Sequence, residues 1–318
     1  LNLTRIGVVG AGKMGTYHCY KLMQMKNVDF VGVFDKDIQK AEVISKKLSV
    51  RAFESYQELL KSVDAVVIAA PTKFHFTLVE EAVNHQKHIF VEKPFTVSMD
   101  EANRLKELLK NKDLIVQVGH VERFNPAVQQ LAHCIESEKL MNIEAKRLGL
   151  SNRIQDSDVV LDVMIHDIDI ILSLVKSPIN RISAEGICVS KKGYYDTVTA
   201  LLSFENGVMA TLTASNVSHE KARTLTIVEK DKVIKTDYLT RRQKIVKNEA
   251  VNFDTKLPYG TEAIVIVLTI PPLDPLMEEL NHFINCIHTN QTPIVGVEEG
   301  AAAVEVALKI KDILEKRG

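Results

Sequence analysis

The sequence has no excess of charge of either sign: 40 Lys and Arg face 41 Asp and Glu, a net charge of -1. That balance argues against a general affinity for nucleic acid or an anionic membrane, while leaving room for a local basic pocket around a phosphorylated substrate. Cysteine is scarce. The four, Cys19, Cys134, Cys188 and Cys286, stand far apart without a C-x-x-C pair, so neither a zinc site nor a disulfide framework is expected and a reducing cytoplasm fits best. No apolar run approaches the length that crosses a bilayer, no basic-then-apolar leader precedes the first strand pattern, and no repeat or low-complexity linker interrupts the chain. A cytoplasmic protein, neither secreted nor anchored, is the expectation. What remains is an ordinary globular composition, 46% hydrophobic and 25% charged over 318 residues, enough for a full core and more in keeping with two domains than one.

The two halves of the chain have different rhythms. From Arg5 to about His120 short apolar runs, RIGVVG, DFVGVF, DAVVIAA, HIFVE and LIVQVGH, alternate with helical spacing. A weaker strand is expected at Arg51 to Phe53, and Leu78, Val79, Ala82 and Val83 mark one helix face. This is the pattern of a doubly wound parallel sheet with helices on both faces. Ser55 with Glu58, and Ser98 with Glu101, are expected to start helices as reciprocal capping boxes. After Asn125-Pro126 the rhythm changes to a helix and then to strand-like segments rich in Thr, Val and Ile: NIEAKRLGLS, RISAEGICVS, DTVTALLSF, GVMATLTAS and RTLTIVEKD. Their alternation predicts a largely antiparallel sheet with one open face, interrupted by a helix over Val159 to Val175. Closing helices are expected over Pro275 to His288 and Val297 to Lys316, and the stretch Arg241 to Pro258, the least periodic part, is expected to hold a mobile loop. The fold class is α/β, with a dinucleotide-binding domain over 1–120. A second α+β domain covers 121–318, its final helix free to pack back on the first.

Gly10-Ala11-Gly12-Lys13-Met14-Gly15 is a G-x-G-x-x-G placed directly after the strand RIGVV and opening a helix expected over Met14 to Lys26. There Gly10 permits the tight turn, Gly12 lets a pyrophosphate approach, Gly15 allows close helix packing, and the amides at the helix start bind the phosphates. Twenty residues beyond Gly15, at the end of the second strand, Asp35 can accept hydrogen bonds from ribose hydroxyls and repel a 2′-phosphate, which favours NAD over NADP. A glycine turn that only joins strand to helix is the alternative. In such a sheet ligands sit beyond the carboxyl ends of the strands, so Ala70, Pro71 and Thr72 after the fourth strand and Glu92 and Lys93 after the fifth are cofactor-binding candidates. His75 either touches the cofactor or packs at a helix start.

Lys93 stands at the carboxyl end of a central strand with Pro94 behind it, which restricts it to extended geometry. A lysine buried beside a cationic nicotinamide falls from a pKa of about 10.4 toward about 7 to 8, where it exchanges protons. A second constellation lies in VVLDVMIHDIDIIL, where Asp162, His166 and Asp169 at i, i+4 and i+7 share one face of an apolar helix. Buried polar groups need partners, and a substrate hydroxyl is one candidate. A structural Asp162–His166 pair is another, and a metal is disfavoured because no further His or Cys ligands cluster nearby. Asp167 falls off this face and is expected to be solvated or bonded to a neighbouring loop.

Along essentially its whole length the sequence resembles the glucose-fructose oxidoreductase, inositol dehydrogenase and MocA (Gfo/Idh/MocA) family, in GAGKMG, AAPTKFH, VEKPF, VGH, DVMIHDID and the closing EEGAAAVEVALKI. The resemblance implies an N-terminal Rossmann domain, a C-terminal domain whose open sheet forms a homodimer or homotetramer interface, substrate held between the domains, and no metal. Carried over, Lys93 becomes the proton-transfer group, while Asp162 and His166 assist it and hold the reacting hydroxyl. One departure is that many relatives carry paired glycines shortly before this helix, where this chain has Asp158-Val159-Val160-Leu161, so their pocket floor is not carried over. GHVERFNPAV together with the VVLDVMIHDIDIIL helix is similar to the branch oxidising nucleotide sugars, in particular UDP-N-acetylglucosamine 3-dehydrogenases, whose keto product is aminated by a partner aminotransferase. His120, Arg123, Asn125 and Arg153 are the substrate-binding candidates, Arg forks suiting diphosphate, with ordinary structural bonds as the alternative. A polyol or inositol dehydrogenase is the runner-up, and a non-catalytic NAD- and sugar-binding regulator the reading from another class.

Overall fold

The computed structural model describes residues 3–150, 158–189, 194–249 and 262–316. Contacts divide the chain into two compact units, Leu1–Phe124 with Asp274–Glu305 and Asn125–Leu273 with Val306–Gly318. The first unit is built on strands β1 (Thr4–Val9), β2 (Val28–Phe34), β3 (Arg51–Phe53), β4 (Ala65–Ile68), β5 (His88–Glu92) and β6 (Val116–Gly119), with helices α1 (Lys13–Leu22), α2 (Ile38–Leu48), α3 (Tyr56–Ser62), α4 (His75–Asn84) and α5 (Met99–Leu109) between them. All neighbouring strands run parallel, in the order β3-β2-β1-β4-β5-β6. Strands covered on both faces have no polar side to show, and β4 accordingly buries all four of its residues. The order reverses between β1 and β4, which places the ligand crevice of this topology at the carboxyl ends of those strands.

Local signals in this unit hold, with two adjustments. Ser55 and Ser98 cap α3 and α5, each hydroxyl accepting from the amide three residues on at 3.2 Å. The reciprocal half of each box does not form, because Glu58 turns its carboxylate to Arg51 and Glu101 accepts from the Val97 amide. Helix α1 ends at Leu22, short of the expected Lys26, as the chain tightens into turns through Gln24 and Met25.

The second unit begins with α6 (Pro126–Cys134) and contains β7 (Leu140–Leu150), a π-helical turn over Val160–Met164 running into α7 (Ile165–Val175), and strands β8 (Ile179–Ile187), β9 (Thr197–Phe204), β10 (Met209–Ser215), β11 (Val217–Glu229), β12 (Lys232–Asp237), β13 (Arg242–Glu249) and β14 (Glu262–Thr269). They form one sheet, β14-β13-β12-β11-β7-β10-β9-β8, antiparallel at every pairing except β7 with β10. Period-two alternation decides its faces. Val198, Ala200 and Leu202 of β9, Ala210 and Leu212 of β10, and Leu225 and Ile227 of β11 are buried, while Leu201 and Met209 face outward and are exposed. Within the stretch Arg241 to Pro258, expected to hold a loop, Arg242–Glu249 is a strand paired on both sides, and 250–258 lies outside the described residues.

Two helices close the chain, α8 (Pro275–Thr289) in the first unit and α9 (Val297–Glu315), which starts in the first unit and ends in the second. Leu280, Phe283 and Ile284 of α8 join Ile6, Val8, Val67 and Phe90 of the parallel sheet and Cys19 and Leu22 of α1 in one buried cluster. Each such side chain contributes about 1.5–3 kcal/mol on leaving water. No helix among the described residues is long and apolar enough to cross a membrane.

Candidate active site

The glycine motif folds as its spacing requires. Gly10 has φ of +97°, and a Cβ there would lie 2.7 Å from the Ala69 carbonyl oxygen. A Cβ on Gly15 would lie 1.7 Å from the Gly10 carbonyl oxygen, so α1 packs on the loop only with glycine there. At Gly12 a Cβ would meet nothing within 4 Å, and no side chain caps the start of α1. The amides of the first turn, at Lys13, Met14 and Gly15, therefore face an open approach, which suits a pyrophosphate. Asp35, following β2, holds the loop in shape: its carboxylate accepts from the Ala11 amide at 2.6 Å and the Asp37 amide at 2.8 Å. A carboxylate has about four lone-pair sites, so these two bonds leave acceptor capacity for ribose hydroxyls. The residues present thus fit a dinucleotide.

The remaining candidates of this unit stand on the loops beyond β4, β5 and β6. Ala70 and Pro71 follow β4, and Thr72 opens a short 3₁₀ turn that leads into α4. His75, the first residue of α4, is buried with Nδ1 2.8 Å from the Pro94 carbonyl oxygen and Nε2 2.9 Å from that of Ala70. Burial holds its pKa below the usual histidine value, and the two carbonyls oppose that shift. Glu92 is buried at the end of β5 and meets His18 Nε2 at 2.7 Å; Lys93, next to it, is half-buried and precedes Pro94 through a cis peptide bond. His120 is fully buried beyond β6. Burial pushes its ring down to about 3, the positive charges of Lys93 and Arg123 adding to the effect and Glu92 opposing it. At neutral pH it is an uncharged imidazole among charged neighbours. Arg123 sits in a 3₁₀ turn over Val121–Phe124 and makes a long 3.5 Å contact with the Ile294 carbonyl oxygen.

In the second unit, Asn125 caps α6, its side-chain oxygen accepting from the Ala127 amide at 3.0 Å. Asp162 lies within the π turn and is exposed, and His166, on the first turn of α7, is half-buried. Single π turns recur at functional sites, because i to i+5 bonding re-aims the side chains it carries. Asp169 is buried, so the expected shared face is graded from solvent to interior. Val159 and Val160 are fully buried, and Asp158, its pKa raised by burial, accepts from the Val160 amide at 2.8 Å just before the turn. Arg153 lies outside the described residues.

The expectation for Asp167 is overturned. It is 3% exposed and bonded to strand β7, with Arg147 donating through Nε at 2.9 Å and Nη2 at 2.8 Å. Its surroundings explain this: Met164, Ile170 and Ile171, which lie one turn away from it on either side, are all fully buried, so Asp167 stands on a covered side of the helix rather than on the partly exposed side of His166 and Ser173. Neither Arg147 nor His18 was singled out by the sequence. His18 was within reach, lying one turn after Gly15 on the face of α1 that also buries Cys19 and Leu22.

Residues 4–120 match the oxidoreductase family GFO_IDH_MocA, with its NAD-binding Rossmann fold, and residues 146–234 match the GFO/IDH/MocA C-terminal domain. The chain is 31% identical to the UDP-N-acetylglucosamine 3-dehydrogenase of Acidithiobacillus ferrooxidans over 98% of its own length and 99% of that protein's. A crystal structure of that enzyme superposes with a TM-score of 0.90, covering 99% of each chain. It is also 26% identical to a scyllo-inositol 2-dehydrogenase (NAD(+)) of Bacillus subtilis, over 96% of this chain and 92% of that one. With a glycine cradle, a carboxylate after β2 and a lysine after β5 in place, the chain belongs to the Gfo/Idh/MocA family and is an oxidoreductase, a nicotinamide-dependent dehydrogenase acting on CH–OH groups.

Proposed function

We propose that this enzyme oxidises the 3-hydroxyl of UDP-N-acetylglucosamine to the 3-keto sugar. The observation that carries this reading is the full-length likeness to the Acidithiobacillus enzyme, at a higher identity than the inositol dehydrogenases reach. Lys93 takes the proton of the reacting hydroxyl as the carbon gives up its hydride, and the C–O bond becomes C=O. Bound NAD supplies the carbon that accepts the hydride. Asp162 and His166 hold the hydroxyl and assist the proton's transfer, and Arg123 and Arg153 provide forks for the diphosphate, with Asn125 beside Arg123 in sequence. A neutral His120 adds no further positive charge near Lys93.

NAD rather than NADP is the cofactor in this reading, supported by the Asp35 carboxylate. The open face of the second sheet, with Leu201 and Met209 exposed, forms a homodimer or homotetramer, and an aminotransferase consumes the ketone. The test is incubation with NAD and UDP-N-acetylglucosamine, UDP-glucose or myo-inositol separately, with a carbonyl-trapping amine present because ketone formation can run uphill. A two-hydrogen mass loss confined to the amino-sugar nucleotide supports the reading. Oxidation of myo-inositol instead keeps the mechanism and replaces the substrate, the second reading that the inositol dehydrogenase relatives favour.

A further inference from the structure

The corner that carries Lys93 is held by two buried histidines, one on the residue before it and one on the residue after. His18, on α1, is 0% exposed and meets Glu92 Oε1 through Nε2 at 2.7 Å. An ionised carboxylate only accepts, so the Nε2 proton belongs to this bond. The ring also packs edge-on against Phe90 at 5.1 Å, and its Nδ1 has no hydrogen-bond partner among the described residues. Glu92's other oxygen lies against the bare Cα of Gly119 on β6, where a Cβ would come within 3.1 Å of Oε2 and 3.2 Å of the Glu92 Cα. On the other side of Lys93, the His75 ring lies between the Pro94 and Ala70 carbonyl oxygens, at 2.8 and 2.9 Å. A neutral ring donates to one of the two, and the nitrogen facing Pro94 is the one next to the lysine.

We propose that His18 and His75 are positioning residues that clamp the Glu92-Lys93-Pro94 corner from its two ends and so set where the Lys93 amine stands. The inference rests on the reading of Lys93 as the proton-transfer group. It also links two parts of the site: α1, whose first turn faces the cofactor approach, carries His18, and His75, on the helix that follows the Ala70 loop, reaches the lysine corner at the Pro94 carbonyl. Without His18 the buried Glu92 carboxylate loses its 2.7 Å partner and the corner can turn away from it. Proton transfer needs heavy atoms within about 2.6–3.2 Å, and a shift of about 1 Å costs up to about 100-fold in rate.

The experiment measures kcat and KM with the sugar that wild type turns over, NAD affinity and thermal midpoint for His18→Leu, His18→Gln, His75→Leu, His75→Asn, His75→Gln and Lys93→Ala. We expect both leucine variants to lose about 10- to 100-fold in kcat with NAD affinity unchanged within about twofold. His18→Gln, whose amide reaches the Nε2 position, recovers most of that loss. His75→Asn, whose amide reaches the Nδ1 position facing Pro94, retains more kcat than His75→Gln, which reaches the Ala70 side. If the leucine variants do not fold, the Asn and Gln pair at His75 carries the test, and equal kcat in those two overturns the proposal. Leucine variants with a lowered thermal midpoint and wild-type kcat also overturn it while an inactive Lys93→Ala leaves the lysine's role standing. Full activity in Lys93→Ala removes that role and this inference with it.

Discussion

Arg147 and Asp167 offer a sharp energetic test of the second unit. Both are almost completely buried, at 5% and 3% exposure, and the guanidinium holds the carboxylate through two bonds of 2.9 and 2.8 Å. The guanidinium also lies over the Tyr238 ring at 5.9 Å. Arg147→Met removes one charge and strands a carboxylate on a helix whose isoleucines are all buried. Breaking a buried pair from one side costs about 3–5 kcal/mol, because the remaining charge can neither reach water nor find an equal partner. In a unit of this size each kcal/mol moves the midpoint by about 2–4 °C, so calorimetry should place the unfolding of Arg147→Met about 10 °C lower. Asp167→Leu should cost a similar amount. The double variant Arg147→Met/Asp167→Leu leaves no stranded charge and should be more stable than either single variant. Single variants within about 1 kcal/mol of wild type, or a double variant as unstable as the sum of the two, would refute the account of this pair.

His120 gives a pH prediction with a definite sign. Its folded pKa of about 3 lies below the unfolded value of about 6.5, so the neutral ring's contribution is fully present above pH 6.5 and is lost as pH falls toward 3. The unfolding free energy of wild type should therefore fall more steeply than that of His120→Gln between pH 7 and pH 4, by up to about 1.4 kcal/mol per pH unit, and parallel curves would contradict the assignment. At Asp35, substitution by serine should lower kcat/KM for NAD by about 10- to 100-fold, the worth of hydrogen bonds to a charged group, while raising that for NADP. Steady-state kinetics with the two cofactors reads this directly, and an unchanged preference would place the ribose elsewhere.

The first unit was legible because its chemistry is local. Strands buried on both faces read as short apolar runs, and Gly10, Gly12, Gly15 and Asp35 are fixed by chain spacing alone. The outer strands of the second sheet were harder to read. In β13 the inward positions are Gln243 and Ile245, and a buried glutamine bonded to Thr236 breaks the apolar alternation that would have marked the strand. Asp167 was misread because a helical wheel treats a polar residue off the main face as solvated, whereas its neighbours one turn away, Met164, Ile170 and Ile171, are all buried. The His18–Glu92 bond spans 74 residues, and helical period alone places His18 toward the sheet without naming its partner.

The most direct measurement uses UDP-N-acetylglucosamine deuterated at C3, with NAD, on wild type and Lys93→Ala. We expect wild type to pass the deuterium to the nicotinamide and form the 3-keto sugar, and Lys93→Ala to bind NAD with no transfer. Deuterium left on the sugar while myo-inositol is oxidised would replace the substrate, and transfer by Lys93→Ala at the wild-type rate would contradict the role given to the lysine.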